Sequence, residues 1–242
     1  MIKTILLDMD ETLCATSLAD IEARDHLTRW LTSEYPEIKN PEEVSRKFLK
    51  GFYRELNDEY ADAVSLLPDE GAFRLMLLKT IVQESGVELA KICDLERALD
   101  KFNEERMKAF DFFPNAKETI ESLRADYKLV VITNGSTYSQ HPKLERVAMH
   151  KLVNHVIVGG EEPEQKPSNS IFNKALSLTG SRAEECIHVG DSLTADINGA
   201  NNAGITSVWV CRDGGANVTN IKPDHIIKCV TEVNQILDKL NN

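Results

Sequence analysis

Two carboxylates two residues apart, Asp8 and Asp10 in Asp8-Met9-Asp10-Glu11-Thr12, directly follow the apolar run Ile5-Leu6-Leu7. Like charges at the end of a buried strand repel and push at least one pKa upward, a costly arrangement unless one group attacks while the other moves a proton. Three more polar groupings fall in order along the chain: Thr133-Asn134-Gly135, Lys166-Pro167, and Gly190-Asp191-Ser192-Leu193-Thr194-Ala195-Asp196. Singly, each reads as a turn, a loop lysine or a helix cap. Together, each at a strand end or in the loop beyond one, they read as a site. Asp8, Asp10 and Asp191 form an oxygen-rich acidic cluster that suits a hard divalent cation, Mg2+ above all. Lys166 adds positive charge, and the Thr133 hydroxyl with the following backbone N–H groups offers donors to a phosphoryl group. The expected partner is a small-molecule phosphate ester.

The elements that must position these residues alternate. Short β-branched apolar runs at 2–7, 128–133, 155–159, 186–189 and 206–211, with a weaker one at 224–228, have strand length. Between them Ala116, Ile120 and Leu123, then Ile171, Phe172, Ala175 and Leu176, then Leu193, Ile197 and Ala200 keep helical spacing. Strands that are apolar throughout and alternate with helices predict an α/β, doubly wound parallel sheet, with sites at the carboxyl ends of its strands. From 16 to 111 no strand appears, whereas Val44, Phe48, Phe52 and Leu56, then Leu95, Leu99 and Phe102, are helically spaced. A parallel crossover needs only about a dozen residues, so this interval predicts an inserted all-helical cap domain, 16–111, in an α/β core of 1–15 and 112–242. Pro114 suits the first turn of the helix that re-enters the core.

The chain has 242 residues, and its 39 acidic against 28 basic side chains give a formal net charge of −11. That balance argues against general affinity for nucleic acid or anionic membranes. Five cysteines without CxxC pairing fit a reducing compartment, with Cys186 and Cys211 as small core residues. With no signal-like leader and no apolar stretch of about 20 residues, the reading is a soluble, cytoplasmic protein.

The four groupings resemble, in order and spacing, the motifs of the haloacid dehalogenase (HAD) superfamily of phosphohydrolases, and the helical insert resembles its helical cap. The resemblance implies a Rossmann-like core and an aspartyl-phosphate mechanism. Asp8 is then the nucleophile, and Asp10 protonates the leaving alcohol and later accepts a proton from water, for which a raised pKa is expected. Asp8, Asp191 and the Asp10 main-chain carbonyl would hold Mg2+, Asp196 would orient from behind, Lys166 would neutralise charge on the transferring oxygens, and Thr133, Asn134 and Gly135 would bind phosphate. Dehalogenases of the superfamily attack carbon and lack the second aspartate, so Asp10 selects a phosphatase. The segments 156–161, 166–172 and 189–204 are most similar to phosphatases of N-acylneuraminate 9-phosphate. Glu11, where Asn or Gly is usual, also resembles 5′-nucleotidases, and phosphoglycolate is a third substrate class. A non-catalytic scaffold on the same fold is the alternative of different kind.

His150, His155 and His188 read as structural, Trp30 and Trp209 as core, and the insert's Arg24, Lys50, Arg54 and Arg74 as a solvated face.

Overall fold

Thr4–Leu7, here β1, is buried at every position. Alternate residues of a strand point to opposite faces, so Ile5 and Leu7 on one face and Leu6 on the other, all at 0 % exposure, require cover on both sides. The computed structural model describes residues 1–212, 214, 215 and 219–241. In it β1 is joined by β2 (Lys128–Thr133), β3 (His155–Val158), β4 (Cys186–Gly190), β5 (Thr206–Val210) and β6 (His225–Ile227). All pairs are parallel, in the order β3-β2-β1-β4-β5-β6. The order reverses beside β1, which creates a crevice at the carboxyl ends of β1 and its neighbours.

On one face Leu6, Val130, Ile132 and Ile157 pack with Phe172 and Ala175 of the helix Asn169–Thr179 and with Ala200 of Asn198–Asn202. Pro114 lies two residues before the re-entering helix Ala116–Leu123 and not in its first turn; Asn115, at φ 62°, is the boundary residue. Cys186 is buried, as expected, but Cys211 is only half-buried.

Contacts divide the chain into two compact units, Met1–Thr16 with Asp111–Asn242, and Ser17–Phe110. The second is wholly helical among its described elements, with a core of Leu27, Leu31, Phe48, Phe73, Leu77 and Phe102. Asn40 and Asp69 cap its helices Pro41–Phe52 and Glu70–Glu84 by accepting the main-chain N–H of Glu43 and Ala72. One expectation needs correction here. Arg74 is not on a solvated face: it is buried, pairs with Glu70 at 2.5 Å and lies 3.8 Å from the ring centroid of Phe52. Arg74 lies four positions after Glu70, the spacing that faces one helical turn with the next. No helix among the described residues is long and apolar enough to cross a membrane.

Candidate active site

Leu7 pairs in register with Val131 and with Val189, so the residue after it emerges level with the ends of both neighbouring strands. That residue is Asp8, whose N–H donates to the Val189 carbonyl at 2.9 Å. Lys166 arrives from the loop after β3. Its ammonium makes three bonds, to Asp8 Oδ1 at 2.7 Å, Asp196 Oδ1 at 2.7 Å and the Ile132 carbonyl at 2.6 Å, so all three hydrogens have acceptors. Burial works against the Lys166 charge, but Asp196 and Asp8 more than offset it and hold the ammonium protonated.

Asp196 sits in a π-helical turn, Leu193–Ile197, opened by Ser192, whose hydroxyl accepts the Ala195 N–H. Its Oδ1 also meets His188 Nε2 at 2.9 Å, and Oδ2 accepts the Ser192 N–H at 3.0 Å. Both oxygens are thus engaged, which makes Asp196 a brace for Lys166 and His188. Burial pushes the pKa of His188 down. Asp191, just beyond β4, is different: burial and then the Asp196 charge raise its carboxyl to about 6. Asp8 is raised well above the ordinary carboxylate range by burial; Lys166 opposes this, while Asp196, Asp191 and Asp10 reinforce it. Asp8 Oδ2 is buried and finds no hydrogen-bond donor among the described residues. Asp8, Asp191 and Asp196 each offer an oxygen within 4.8 Å of the others. A buried, unsatisfied carboxylate oxygen beside a second carboxyl of raised pKa is what a hard cation would satisfy.

Asp10 stands apart from this knot. Its Oδ1 receives Lys143 Nζ at 2.8 Å and the Thr16 hydroxyl, and its Oδ2 receives Gln140 Nε2 at 2.7 Å. Burial alone would raise its pKa, but the Lys143 charge and these hydrogen bonds win, and the carboxyl is lowered. The expectation of a raised Asp10 is therefore corrected. The like-charge repulsion read from Asp8-x-Asp10 falls on Asp8, because Lys143 neutralises its neighbour.

Thr133, the last residue of β2, is fully buried, and its hydroxyl accepts from Gln140 Nε2. The Asn134 side chain is engaged in a reciprocal pair with the Lys166 backbone, Nδ2 to O and N to Oδ1, both 2.9 Å. The Gly135 N–H donates to Gln165 Oε1 at 2.8 Å. Gln140 and Lys143, from the helix Thr137–Arg146, were not singled out by sequence reasoning; their three-residue spacing on a helix is the one signal that marks them as neighbours. Arg212 was missed as well. It donates to the carbonyls of Glu11 at 3.1 Å and Thr12 at 2.8 Å and stacks 3.3 Å from the Phe113 ring centroid. It thus ties down the turn in which Glu11 adopts φ 58°, a region that favours Gly or Asn. Trp209 is largely buried, and its indole N–H holds the Asp191 carbonyl at 2.8 Å.

The family profile described as haloacid dehalogenase-like hydrolase matches residues 5–210. N-acylneuraminate-9-phosphatase of Rattus norvegicus is 26 % identical, over 99 % of this chain and 95 % of that protein. Glyceraldehyde 3-phosphate phosphatase of Methanopyrus kandleri is 30 % identical, over 88 % of this chain and 85 % of that protein. Among solved structures, the magnesium-bound HAD-hydrolase YfnB of Bacillus subtilis superposes with a TM-score of 0.72 at 24 % identity, covering 98 % of this chain and 99 % of that one.

Proposed function

The chain belongs to the haloacid dehalogenase-like hydrolase family and is a phosphatase; we propose that it is a Mg2+-dependent phosphomonoester hydrolase that works through an aspartyl-phosphate on Asp8. The observation that carries this reading is the buried Oδ2 of Asp8, without a donor among the described residues, on a carboxylate whose other oxygen holds Lys166 and which clusters with Asp191. The donor set is all hard oxygen, which fits the ion. Asp8, Asp191 and the Asp10 main-chain carbonyl would hold Mg2+, which when bound offsets the clustered charge, keeps Asp8 ionised and polarises the phosphoryl group.

The protein's own residues do the rest. An Asp8 oxygen attacks phosphorus as the P–O bond to the leaving alcohol breaks, and the alcohol oxygen takes a proton from Asp10. Water then attacks the aspartyl-phosphate and gives its proton back to Asp10, releasing phosphate and restoring Asp8. Lys166 spreads the charge that grows on the phosphoryl oxygens, and the Thr133 hydroxyl donates to one of them. Held by Lys143, Asp10 is a carboxylate at rest. That state suits the second half-reaction; for the first, Asp10 takes up one proton from solvent as substrate binds, passes it to the leaving oxygen and regains one from the attacking water. Asp10 also speaks against dehalogenation, since attack on carbon leaves a halide that requires no proton.

N-acylneuraminate 9-phosphate is the favoured substrate, supported by similarity to a phosphatase of that compound over the whole chain. A three-carbon phosphate is the second reading, favoured by the Methanopyrus relative. The test is a kcat/KM panel of N-acylneuraminate 9-phosphate, glyceraldehyde 3-phosphate, phosphoglycolate and nucleoside monophosphates with Mg2+. Turnover should vanish with EDTA and in Asp8→Asn. Activity that survives both would overturn the mechanism, and silence across the panel would favour a scaffold.

A further inference from the structure

Gln140 and Lys143 are buried polar side chains that no motif of the chain calls for. They lie three residues apart on the helix Thr137–Arg146, which places both on one face. A Lys with 4 % of its surface exposed and a Gln with 2 % are unfavourable unless fully partnered. Both point at the same carboxylate: Lys143 Nζ lies 2.8 Å from Asp10 Oδ1, and Gln140 Nε2 lies 2.7 Å from Asp10 Oδ2.

Gln140 does something further. Its amide has two hydrogens; one goes to Asp10 and the other to the Thr133 hydroxyl oxygen. A hydroxyl that accepts from Gln140 must aim its own hydrogen elsewhere. Its acceptors among the described residues, Asp10 Oδ2 and the Asn134 carbonyl, are both at 3.5 Å, too long to satisfy it well. The Thr133 hydrogen is thereby kept for an incoming oxygen.

From this geometry we infer that Gln140 and Lys143 are positioning residues for phosphoryl transfer, Lys143 fixing the Asp10 carboxylate for proton exchange with the leaving oxygen and Gln140 aiming the Thr133 hydroxyl at the phosphoryl group. The inference rests on the phosphatase reading and deepens it. The two residues act on different parts of the reaction, so their loss has different signatures. In the steps through leaving-group departure, displacing Asp10 harms only substrates whose leaving group needs a proton; its later role toward water is common to all of them. Misdirecting Thr133 harms every phosphate ester alike.

The experiment compares kcat/KM, which reports steps through departure of the leaving group, on p-nitrophenyl phosphate and on glycerol 1-phosphate. Lys143→Met should lose about 10²-fold on glycerol 1-phosphate and under about 5-fold on p-nitrophenyl phosphate, whose leaving group departs unprotonated. Lys143→Arg should recover most of the alkyl phosphate rate. Gln140→Met should lose about 10-fold on both substrates, the worth of one hydrogen bond to a charged group. Equal losses on both substrates for Lys143→Met would reveal a merely structural role and overturn the inference, as would wild-type rates in both variants. In either case wild-type turnover leaves the phosphatase reading intact. A wild type inert on both esters with Mg2+ would remove that reading, and this one with it.

Discussion

Lys166 Nζ and Asp8 Oδ1 are 2.7 Å apart with both side chains more than nine-tenths buried, although 158 positions separate them in the chain. The same ammonium holds Asp196, so one cation answers two buried anions. Removing one partner of a buried pair strands the other charge without water to solvate it. Lys166→Met should therefore lower unfolding free energy by about 3–5 kcal/mol, read as a drop in urea midpoint. Because the lysine also faces the transferring oxygens in the proposed reaction, kcat should fall by about 10²–10³-fold under conditions where the variant is still folded. An unchanged midpoint would mean that Lys166 is not the counterion it looks to be.

Gly190 ends β4 where the backbone passes against Asp196. A Cβ at this position would lie 2.3 Å from Asp196 Cγ and 2.5 Å from its Cβ. Asp196 cannot swing aside, because Lys166, His188 and the Ser192 N–H hold both of its oxygens. Gly190→Ala should cost about 1–3 kcal/mol of stability through overpacking and should abolish turnover by moving Lys166. Gly215→Ala meets nothing within 4 Å among the described residues and is the control: its melting temperature and activity should match the wild type. A Gly190→Ala protein of native activity would show that the Asp196 brace is dispensable.

Glu185 links the start of β4 to Lys3, at 2.6 Å, and to the Arg182 backbone and side chain, and these bonds lower its carboxyl to about 2. A carboxylate whose pKa is depressed on folding stabilises the native state above its ordinary pKa, and that contribution disappears as pH falls through the folded value. Wild type should melt above Glu185→Gln at pH 7, and the gap should close between about pH 4.5 and about pH 2. Added salt should narrow it at neutral pH, since Lys3 is solvent-exposed. A gap that persists at pH 2 would assign the effect to packing.

β1, β2, β4 and β5 could be read from the sequence because each is an apolar run buried on both faces, whereas β6, with Ile226 60 % exposed, gives only a weak signal. The placement of Asp8, Thr133 and Asp191 could be read because each ends or directly follows such a run. Period and punctuation are local signals. What stayed hidden is not local. Gln140 and Lys143 stand in a polar stretch around Pro142 that looks like a solvated helix, and only the fold carries them to Asp10, more than 120 residues away in sequence. Hence the sign of the Asp10 shift was misread: its neighbour in sequence is an anion, but its neighbour in space is a cation. Asn134 sits beside Thr133 in sequence, yet its side chain is spent on the Lys166 backbone. Arg74 failed as a surface residue for a similar reason, since Glu70 and the Phe52 ring enclose a guanidinium that composition alone assigns to water.

Asp191 offers the most direct test of the ion, with a readout independent of turnover. Its carboxyl is raised from the ordinary 3.8 to about 6 by burial and by Asp196. An acid whose pKa rises on folding binds more protons in the native than in the unfolded state, so its contribution to stability falls as pH increases from about 4 to about 6. Metal-free Asp191→Asn lacks that charge and should melt at or above the wild type at pH 7, with the difference shrinking toward pH 4. Mg2+ reverses the ranking. At 100 times its dissociation constant a ligand specific to the native state adds about 2.7 kcal/mol, so the wild-type melting temperature should climb with Mg2+ while that of Asp191→Asn barely moves. Ca2+ should also bind the all-oxygen set, whereas monovalent salt at matched ionic strength should leave both proteins in their metal-free order. Equal Mg2+ shifts in the two proteins would place the ion elsewhere, and no shift in either would leave the clustered carboxylates without the cation that their burial calls for.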